Sequence, residues 1–553
     1  MVGLATVFGA GGGTSSYKEI EETDVILIWG SNAREAHPIF FHHVLQGIHN
    51  GAKLFVVDPR KTATADWADI WLGLDVGTDI ALSNTIAREI IHAGLANNEF
   101  ISRSTTEFEA YAKSVEQWTL ERGSAVTGVP ADAIAEIAHT FAKAPKAQIC
   151  WTLGITEHHN GVDNVLALIN LALLCGHVGR WGSGLNPLRG QNNVQGGGDM
   201  GALPNKLPGF QDVEDDVARA KFEFKWNCRI PPKNGWNLTE MFEAMERRDL
   251  RALFVIGENP AQSEADGHHA IKVLKSLDHL VVQDIFLTKT AELADVVFPG
   301  SASWCESEGT VTNSERRVQM IHQALTPPGN AHDDIQILID LARQMGHQWS
   351  YESTEDVWNE LRGLSPLHTG MSYSRLHELG GIQWPCFSED TLEPSFLHGR
   401  LWAENLADRG RLAPFSVVID EPPVESTSQD FPLRLTTGRR LDSYNTGVQS
   451  GGFRSPLRFG ETIDISNYDA AAIGVHDGEI VRITSPRGSV DAPARIDSSL
   501  RPGLVFMTMH FPGEVNTNLL TIDATDPKSG TAEFKAAAVR VEKIHQHVPV
   551  AGQ

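Results

Sequence analysis

The sequence is poor in cysteine, and what it has is scattered. Cys150, Cys175, Cys228, Cys305 and Cys386 stand far apart, and no Cys-x-x-Cys pair occurs. That spacing spells out neither a zinc site nor an iron–sulfur cluster, and free buried thiols suit a reducing compartment. Long apolar runs are also missing. None is long enough to span a bilayer, and the first residues lack the basic and apolar regions of a signal peptide, so a cytoplasmic protein without a membrane span is expected. Positive charge is the third shortage: 46 Lys and Arg stand against 70 Asp and Glu, a formal net charge of −24. This disfavours nucleic acid or an anionic membrane as the main partner. A small anionic substrate is compatible with it only where cations are focused locally. No low-complexity tract is present.

With 553 residues the chain exceeds a single core, and 41% apolar with 21% charged residues marks ordinary globular domains. Gly9 to Gly13 crowd together near the start, but no Lys follows them, so a turn is expected there rather than a phosphate loop. Val25-Ile26-Leu27-Ile28-Trp29 is continuously apolar, as a buried parallel strand is. It runs into Gly30-Ser31-Asn32 and a helical stretch from about Glu35 to Asn50. Lys53 to Val57 makes a second strand, ending at Asp58-Pro59-Arg60, and Ile70 to Leu74 a third. Glycine after the first strand and an acid after the second is a nucleotide-binding βαβ arrangement. The glycine frees backbone N–H groups for phosphate, and the acid reaches a ribose or base.

The same design returns later in the chain. Ala252 to Ile256 leads into Gly257-Glu258-Asn259, a helix follows, and His279 to Gln283 ends at Asp284. Asp58 to Thr62 is the same step as Asp284 to Thr288, and Asp58 to Asp69 the same as Asp284 to Asp295. Similar hydrophobic patterns are common to all βαβ units; matching polar punctuation at matching offsets is not. Two related lobes imply two nucleotides, or one cofactor carrying two.

Elsewhere the pattern is plainer. Residues 85–145 read as helices, Cys150 to Thr152 as a short strand, and Asp163 to Leu174 as an apolar helix. His158 and His159 suggest metal at first sight, but adjacent side chains on regular structure point apart. Trp304 to Arg317 is polar, and its Glu315-Arg316-Arg317 reads as a solvated ion-paired surface. Residues 346–430 are periodic only weakly and read as a connecting segment. Short strands at Leu433 to Thr436, Gly478 to Ser485, Ser489 to Ile496 and Leu504 to Thr508 predict a small β-barrel.

One stretch fits none of these patterns. Asn186-Pro187-Leu188-Arg189-Gly190-Gln191-Asn192-Asn193-Val194-Gln195-Gly196-Gly197-Gly198-Asp199-Met200 neither alternates nor repeats at helical spacing, so an irregular binding loop is expected. Carboxamides offer donors and acceptors together, and glycines let backbone approach a ligand. This run resembles the signature loop of molybdenum- or tungsten-dependent formate dehydrogenases, in the wider dimethyl sulfoxide reductase superfamily. The likeness extends from residue 2 to about 546, with "LTTGR" (435–439), "MHFPGEVNTNLLT" (509–521) and "AEFK" (532–535) resembling the family's cofactor-capping segments.

The resemblance implies an α/β protein of two related nucleotide-binding lobes plus a C-terminal β-barrel. The divisions expected are a first lobe over 1–190, a second with the signature loop over 191–345, a connector over 346–430 and a dinucleotide-binding barrel over 431–553. It implies a bis(molybdopterin guanine dinucleotide) cofactor with Mo or W. Gly30, Asn32, Glu35, Asp58 and Asp79 would serve one guanosine arm. Gly257, Glu258, Asn259, Gln283, Asp284 and Thr288 would serve the other. Gln191, Asn192 and Gln195 would face the pterins, and Gly438, Arg439, Asn518 and Lys535 would complete the site from the barrel. Arg189 matches the arginine that grips formate, through the planar fork that suits a carboxylate. Partners implied are formate or a similar small anion and an electron-transfer subunit with iron–sulfur or flavin/NAD groups.

Two departures stand against the family pattern. Gly438 to Gly447 lacks the histidines that relatives commonly carry there, which leaves open another small oxyanion or acid as substrate. The family's metal-ligating Cys or selenocysteine, followed by His, falls a few residues before Met1, and the iron–sulfur domain lies further upstream. An N-terminally truncated chain is therefore expected, its reading frame continuing upstream through a Cys or UGA codon followed by a His codon, and on into a cysteine cluster motif. The isolated chain is expected to have little formate oxidation activity. The reading from another class is a non-catalytic scaffold that keeps the cofactor fold; the retained Arg189 speaks for enzyme origin.

Overall fold

The computed structural model describes residues 1–391, 397–441, 460–511, 513 and 515–544. Its first sheet is organised around β1 (Val25–Trp29), every residue of which is buried. Such a strand is apolar throughout because both faces of a parallel sheet are covered. It pairs in parallel with β2 (Lys53–Val57) on one side and with β4 (Ala147–Trp151) on the other, Val25 standing opposite both Lys53 and Ala147. β3 (Ile70–Leu72) and β5 (Gly184–Pro187) close the order β3-β2-β1-β4-β5. Helices Asp79–His92, Ala131–Lys143 and Gly161–Cys175 cover one face, their Ile86, Ile137 and Leu168 buried against it. Helix Pro38–His49 covers the other through Phe40, Phe41 and Val44. The helix expected over Glu35–Asn50 is broken at His37, because Pro38 cannot give the N–H a continuous helix requires and begins a new one instead.

The second sheet is smaller: β6 (Ala252–Ile256), β7 (His279–Asp284) and β8 (Val296–Pro299), all parallel, in the order β8-β7-β6. The two lobes correspond down to single hydrogen bonds. Gly30 N–H donates to Val57 O and Gly257 N–H to Gln283 O, both at 2.8 Å, with both glycines at positive φ, 58° and 63°. Thr64 Oγ1 donates to Asn32 Oδ1 at 3.0 Å, and Thr290 Oγ1 to Asn259 Oδ1 at 2.8 Å. Asp69 accepts from Leu54 N–H at 2.8 Å, and Asp295 from Leu280 N–H at 2.7 Å. The polar punctuation that repeats in the sequence is thus the bonding of one turn, built twice.

The C-terminal strands close into a barrel. β9 (Leu433–Gly438), β10 (Ile463–Ile465), β11 (Ile480–Ser485), β12 (Gly488–Ile496), β13 (Leu504–Thr508) and β14 (Ala537–Lys543) run in the order β9-β13-β10-β12-β11-β14. β10 and β14 are not among the strands expected from the sequence. Closure leaves no strand edge open, and Leu435, Ile465, Val481, Ile483, Val505, Met507 and Val539 fill the interior.

Three expectations are corrected. The segment 346–430, expected to be a connector, contains helices Thr354–Leu364 and Tyr373–Leu379, and Trp358, Met371, Tyr373, Leu376 and Trp384 form a core with Val318. Its apolar residues are spread over short elements, so no single helical period shows. Glu315 and Arg316 are not solvated. They are buried at the turn of the hairpin Gly309–Thr312/Arg317–Ile321, where Arg316 Nε donates to Gly13 O at 2.5 Å and its guanidinium lies 5.3 Å over the Trp384 ring. The signature run is not wholly irregular either: Gly184–Pro187 is strand, and Val194–Asp199 is one helical turn and a half. That helix starts from Asn193, whose positive φ of 61° turns the chain while its Oδ1 accepts from Thr312 N–H at 2.9 Å.

Candidate functional site

The C-terminal ends of the first sheet open into a cleft whose other wall is the barrel. Its empty volume, the open mouth included, is about 920 Å³. Of the residues singled out in the sequence, Gly30, Asn32, Asp58, Asp79, Gly438, Arg439 and Lys535 line this one cleft. Thr436, Thr437 and Met509, from the segments quoted as cofactor-capping, line it too, as do His37, Arg60, Thr152 and His158, which were not singled out for it. Arg60 and Thr152 lie just beyond the ends of β2 and β4, where parallel sheets present ligand-binding groups, so their position was the available signal.

The lining is polarised. Asp58 Oδ1 accepts from Arg60 N–H at 2.9 Å, and Asp79 Oδ1 from the Trp29 indole at 2.7 Å; burial raises the pKa of both carboxyls. The Arg60 guanidinium stacks 3.7 Å over Phe506 of β13, and burial lowers its pKa. Lys535 is buried and ion-paired with Glu157 at 2.6 Å. Arg439 Nε is buried without a hydrogen-bond partner among the described residues, and so are Ser31 Oγ and His37 Nδ1. His37 Nε2 is 2.6 Å from Arg189 O.

The remaining candidates lie elsewhere. Glu35 Oε2 accepts from Leu441 N–H at 3.3 Å, tying the first lobe to the chain just past Arg439. Gln191 and Asn192 are exposed on the signature loop. Gly257, Glu258, Asn259, Asp284 and Thr288 gather at the ends of β6 and β7, more open to solvent than their first-lobe counterparts, with Gln283 buried beneath them. Gln283 Oε1 is unpartnered among the described residues, while Nε2 donates to Asp334 at 2.6 Å. Asn518 is buried and donates to Gln262 O at 3.1 Å and Ser263 O at 3.0 Å, fastening the barrel to the second lobe.

Arg189 sits between two residues, Leu188 and Gly190, that line the cleft. Its Nε donates to Gln195 Oε1 at 2.9 Å and its Nη2 to Gly11 O at 2.7 Å. Nη1 has no partner among the described residues. Loss of water lowers the pKa to about 10, so the side chain stays cationic at neutral pH. Gln195 and Asp199, four apart on the short helix, face the same way, and Gln195 Nε2 donates to Asp199 Oδ1 at 2.7 Å. The Trp384 indole donates to Asp199 Oδ2 at 2.7 Å. Burial raises the Asp199 pKa to about 7 against the pull of these donors and of Arg189 and Arg316.

The adjacent histidines do not point apart. They lie in a turn, not in regular structure, and both reach buried Glu533 of the barrel segment, His159 Nδ1 at 2.9 Å and His158 Nδ1 at 3.7 Å. The Asp442 to Gly447 part of the divergent stretch lies outside the described residues.

The fold and the cleft define the class: a duplicated nucleotide-type α/β protein closed by a small barrel. The chain belongs to the molybdopterin oxidoreductase family, which matches residues 6–344, while residues 433–538 match the molybdopterin dinucleotide binding domain. It is 41% identical over 548 residues to the F420-dependent formate dehydrogenase subunit alpha of Methanocaldococcus jannaschii, covering 98% of this chain and 80% of that one. It is 35% identical to formate dehydrogenase H of Escherichia coli, over 98% of this chain and 76% of that one. The acetylene hydratase structure from Pelobacter acetylenicus shares the fold at a TM-score of 0.77 and 20% identity, over 98% of this chain and 80% of that one.

Proposed function

We propose that the chain is the catalytic subunit of a formate dehydrogenase. It takes formate to carbon dioxide, releasing one proton, and passes two electrons to a cytoplasmic electron-transfer partner with iron–sulfur or flavin/NAD groups; a similar small anion would be bound by the same group. The observation that carries the reading is Arg189: a permanent cation fixed at Nε and Nη2, with Nη1 left over, placed between two cleft-lining residues. In an acidic chain it is the local focus that a carboxylate substrate requires.

The cleft suits the family's cofactor, here proposed as bis(molybdopterin guanine dinucleotide) with Mo or W. Arg439 Nε, unpartnered among the described residues, together with Arg60 and Lys535, offers donors of the kind a diphosphate takes up. Asp58 and Asp79 offer carboxylate acceptors to a ribose or guanine, and Gly30 and Gly438 let backbone come close. The matching turn around Gly257, Asn259 and Asp284 would hold the second arm, with Gln283 beneath it. When bound, the cofactor's metal centre supplies the two-electron acceptor. The chain's own residues bind and orient the anion and exclude water.

In the cofactor-loaded protein, Arg189→Lys keeps the charge but loses the planar fork. It should lower formate capture, read as kcat/KM or as affinity, by about a hundredfold, with cofactor content unchanged. Unchanged capture would remove Arg189 from this role. Acid release followed by chromatography should yield guanine nucleotide from protein made in a molybdopterin-competent host; folded protein without it would overturn the two-armed assignment.

A further inference from the structure

We propose that Asp199, through Gln195, is the positioning residue that sets the plane of the Arg189 guanidinium. The inference rests on Arg189 being the anion-binding group, but its geometry can be tested without substrate. Arg189 Nε–H requires an acceptor, so Gln195 must present its carbonyl oxygen and turn its amide nitrogen away. An amide can flip, and a flipped Gln195 would set N–H against N–H. Above its raised pKa of about 7, as a carboxylate, Asp199 prevents this: its Oδ1 takes the outward Gln195 N–H, whereas a flipped Gln195 would face it with oxygen against oxygen. The other carboxylate oxygen is held by the Trp384 indole, a donor that cannot become an acceptor. Gln195 and Asp199 are each fully buried, so no water substitutes. The chain of direction therefore runs one way, from Trp384 through Asp199 and Gln195 to Arg189, and polarity is fixed at its indole end.

An amide at position 199 breaks the chain. In Asp199→Asn the new carboxamide must offer its oxygen to Trp384, which leaves its NH₂ facing Gln195; Gln195 then flips and meets Arg189 donor to donor. Exchanging the two functional groups repairs it. A carboxylate at position 195 accepts both from Arg189 and from the carboxamide at position 199, whose oxygen still accepts from Trp384. The test compares wild type, Asp199→Asn and the double variant Gln195→Glu/Asp199→Asn, as full chains made in a molybdopterin-competent host and held at about pH 8, where Asp199 is ionised. Two readouts are taken: the Arg189 Nε–H resonance in arginine-labelled protein, assigned with Arg189→Lys, and equilibrium binding of isotope-labelled formate. Asp199→Asn should shift that resonance and speed its exchange with solvent, and weaken formate binding about tenfold or more. The double variant should restore both. Guanine nucleotide content, which a collapsed fold would lose, should stay at the wild-type level. An Arg189 resonance unmoved by Asp199→Asn, or left displaced in the double variant, overturns the inference whatever formate does. A resonance that moves and recovers, in a protein whose wild type binds no formate, upholds the positioning role and removes the formate reading alone.

Discussion

At the scale of single residues, Asp199 also links the site to stability. Its pKa is raised from 3.8 to about 7, so between those values the folded protein holds a proton that the unfolded chain releases. Stability contributed by this group is therefore full at low pH and falls as pH rises toward 7. Between about pH 5 and pH 8, wild type should lose up to about 3 kcal/mol relative to Asp199→Asn. Urea unfolding of both proteins across that range checks it, and parallel curves would remove the linkage. Arg189 itself was legible in the sequence, as the one cation in a run of carboxamides and glycines. Its fixation was not: Gln195 and Asp199 share a face only once Gly196-Gly197-Gly198 is helical, against the low helix propensity of glycine.

At the scale of elements, the duplicated turn makes its two copies comparable. Gly30 and Gly257 share a positive φ, but a Cβ on Gly30 would come 2.8 Å from Gly154 C, whereas Gly257 has open space. Gly257→Ala should cost about 1 kcal/mol, from the left-handed backbone alone, and Gly30→Ala distinctly more, from that strain plus displaced backbone. Equal losses of stability in chemical denaturation would contradict the difference in packing. Thr64 and Thr290 are each fully buried, accepting from Arg34 N–H and Ala261 N–H and donating to Asn32 and Asn259. Replacing either by valine strips a backbone amide of its acceptor and should cost about 1–3 kcal/mol in the same measurement, more at Thr290, where the amide is buried. The repetition was visible in the sequence because the turn needs specific polar groups at fixed steps. The helices of 346–430 were not, because their apolar contacts go to distant partners such as Val318.

At the scale of the molecule, the cleft exists because the barrel docks on the first lobe, and polar groups help to hold that seam. Burial would raise the Glu533 pKa, but hydrogen bonds from His158 and His159 outweigh it and hold the carboxyl below its usual range. Its contribution is therefore present at neutral pH and is lost as pH falls through the lowered value. Glu533→Ala leaves two histidines without their shared acceptor and should increase hydrogen exchange at both 157–161 and 533–537, with the cores of the lobe and the barrel unchanged. Exchange confined to one side of the seam would count against a docking role.

The sequence by itself determined the strand-and-turn identity of each lobe, the barrel and the special character of 186–200. Those depend on local period, on glycine's backbone freedom and on polar groups that bond within a few residues of chain. Tertiary structure alone decided that Asp58, Asp79, Arg439 and Lys535 share one cleft, that Arg316 is buried on Trp384, and that Asp199 stands behind Arg189. Trp384 lies 185 residues from Asp199, and Lys535 lies 378 from Glu157. Over such separations no local pattern records the contact, because the hydrogen bonds and ion pairs form only after hydrophobic burial has brought the elements together.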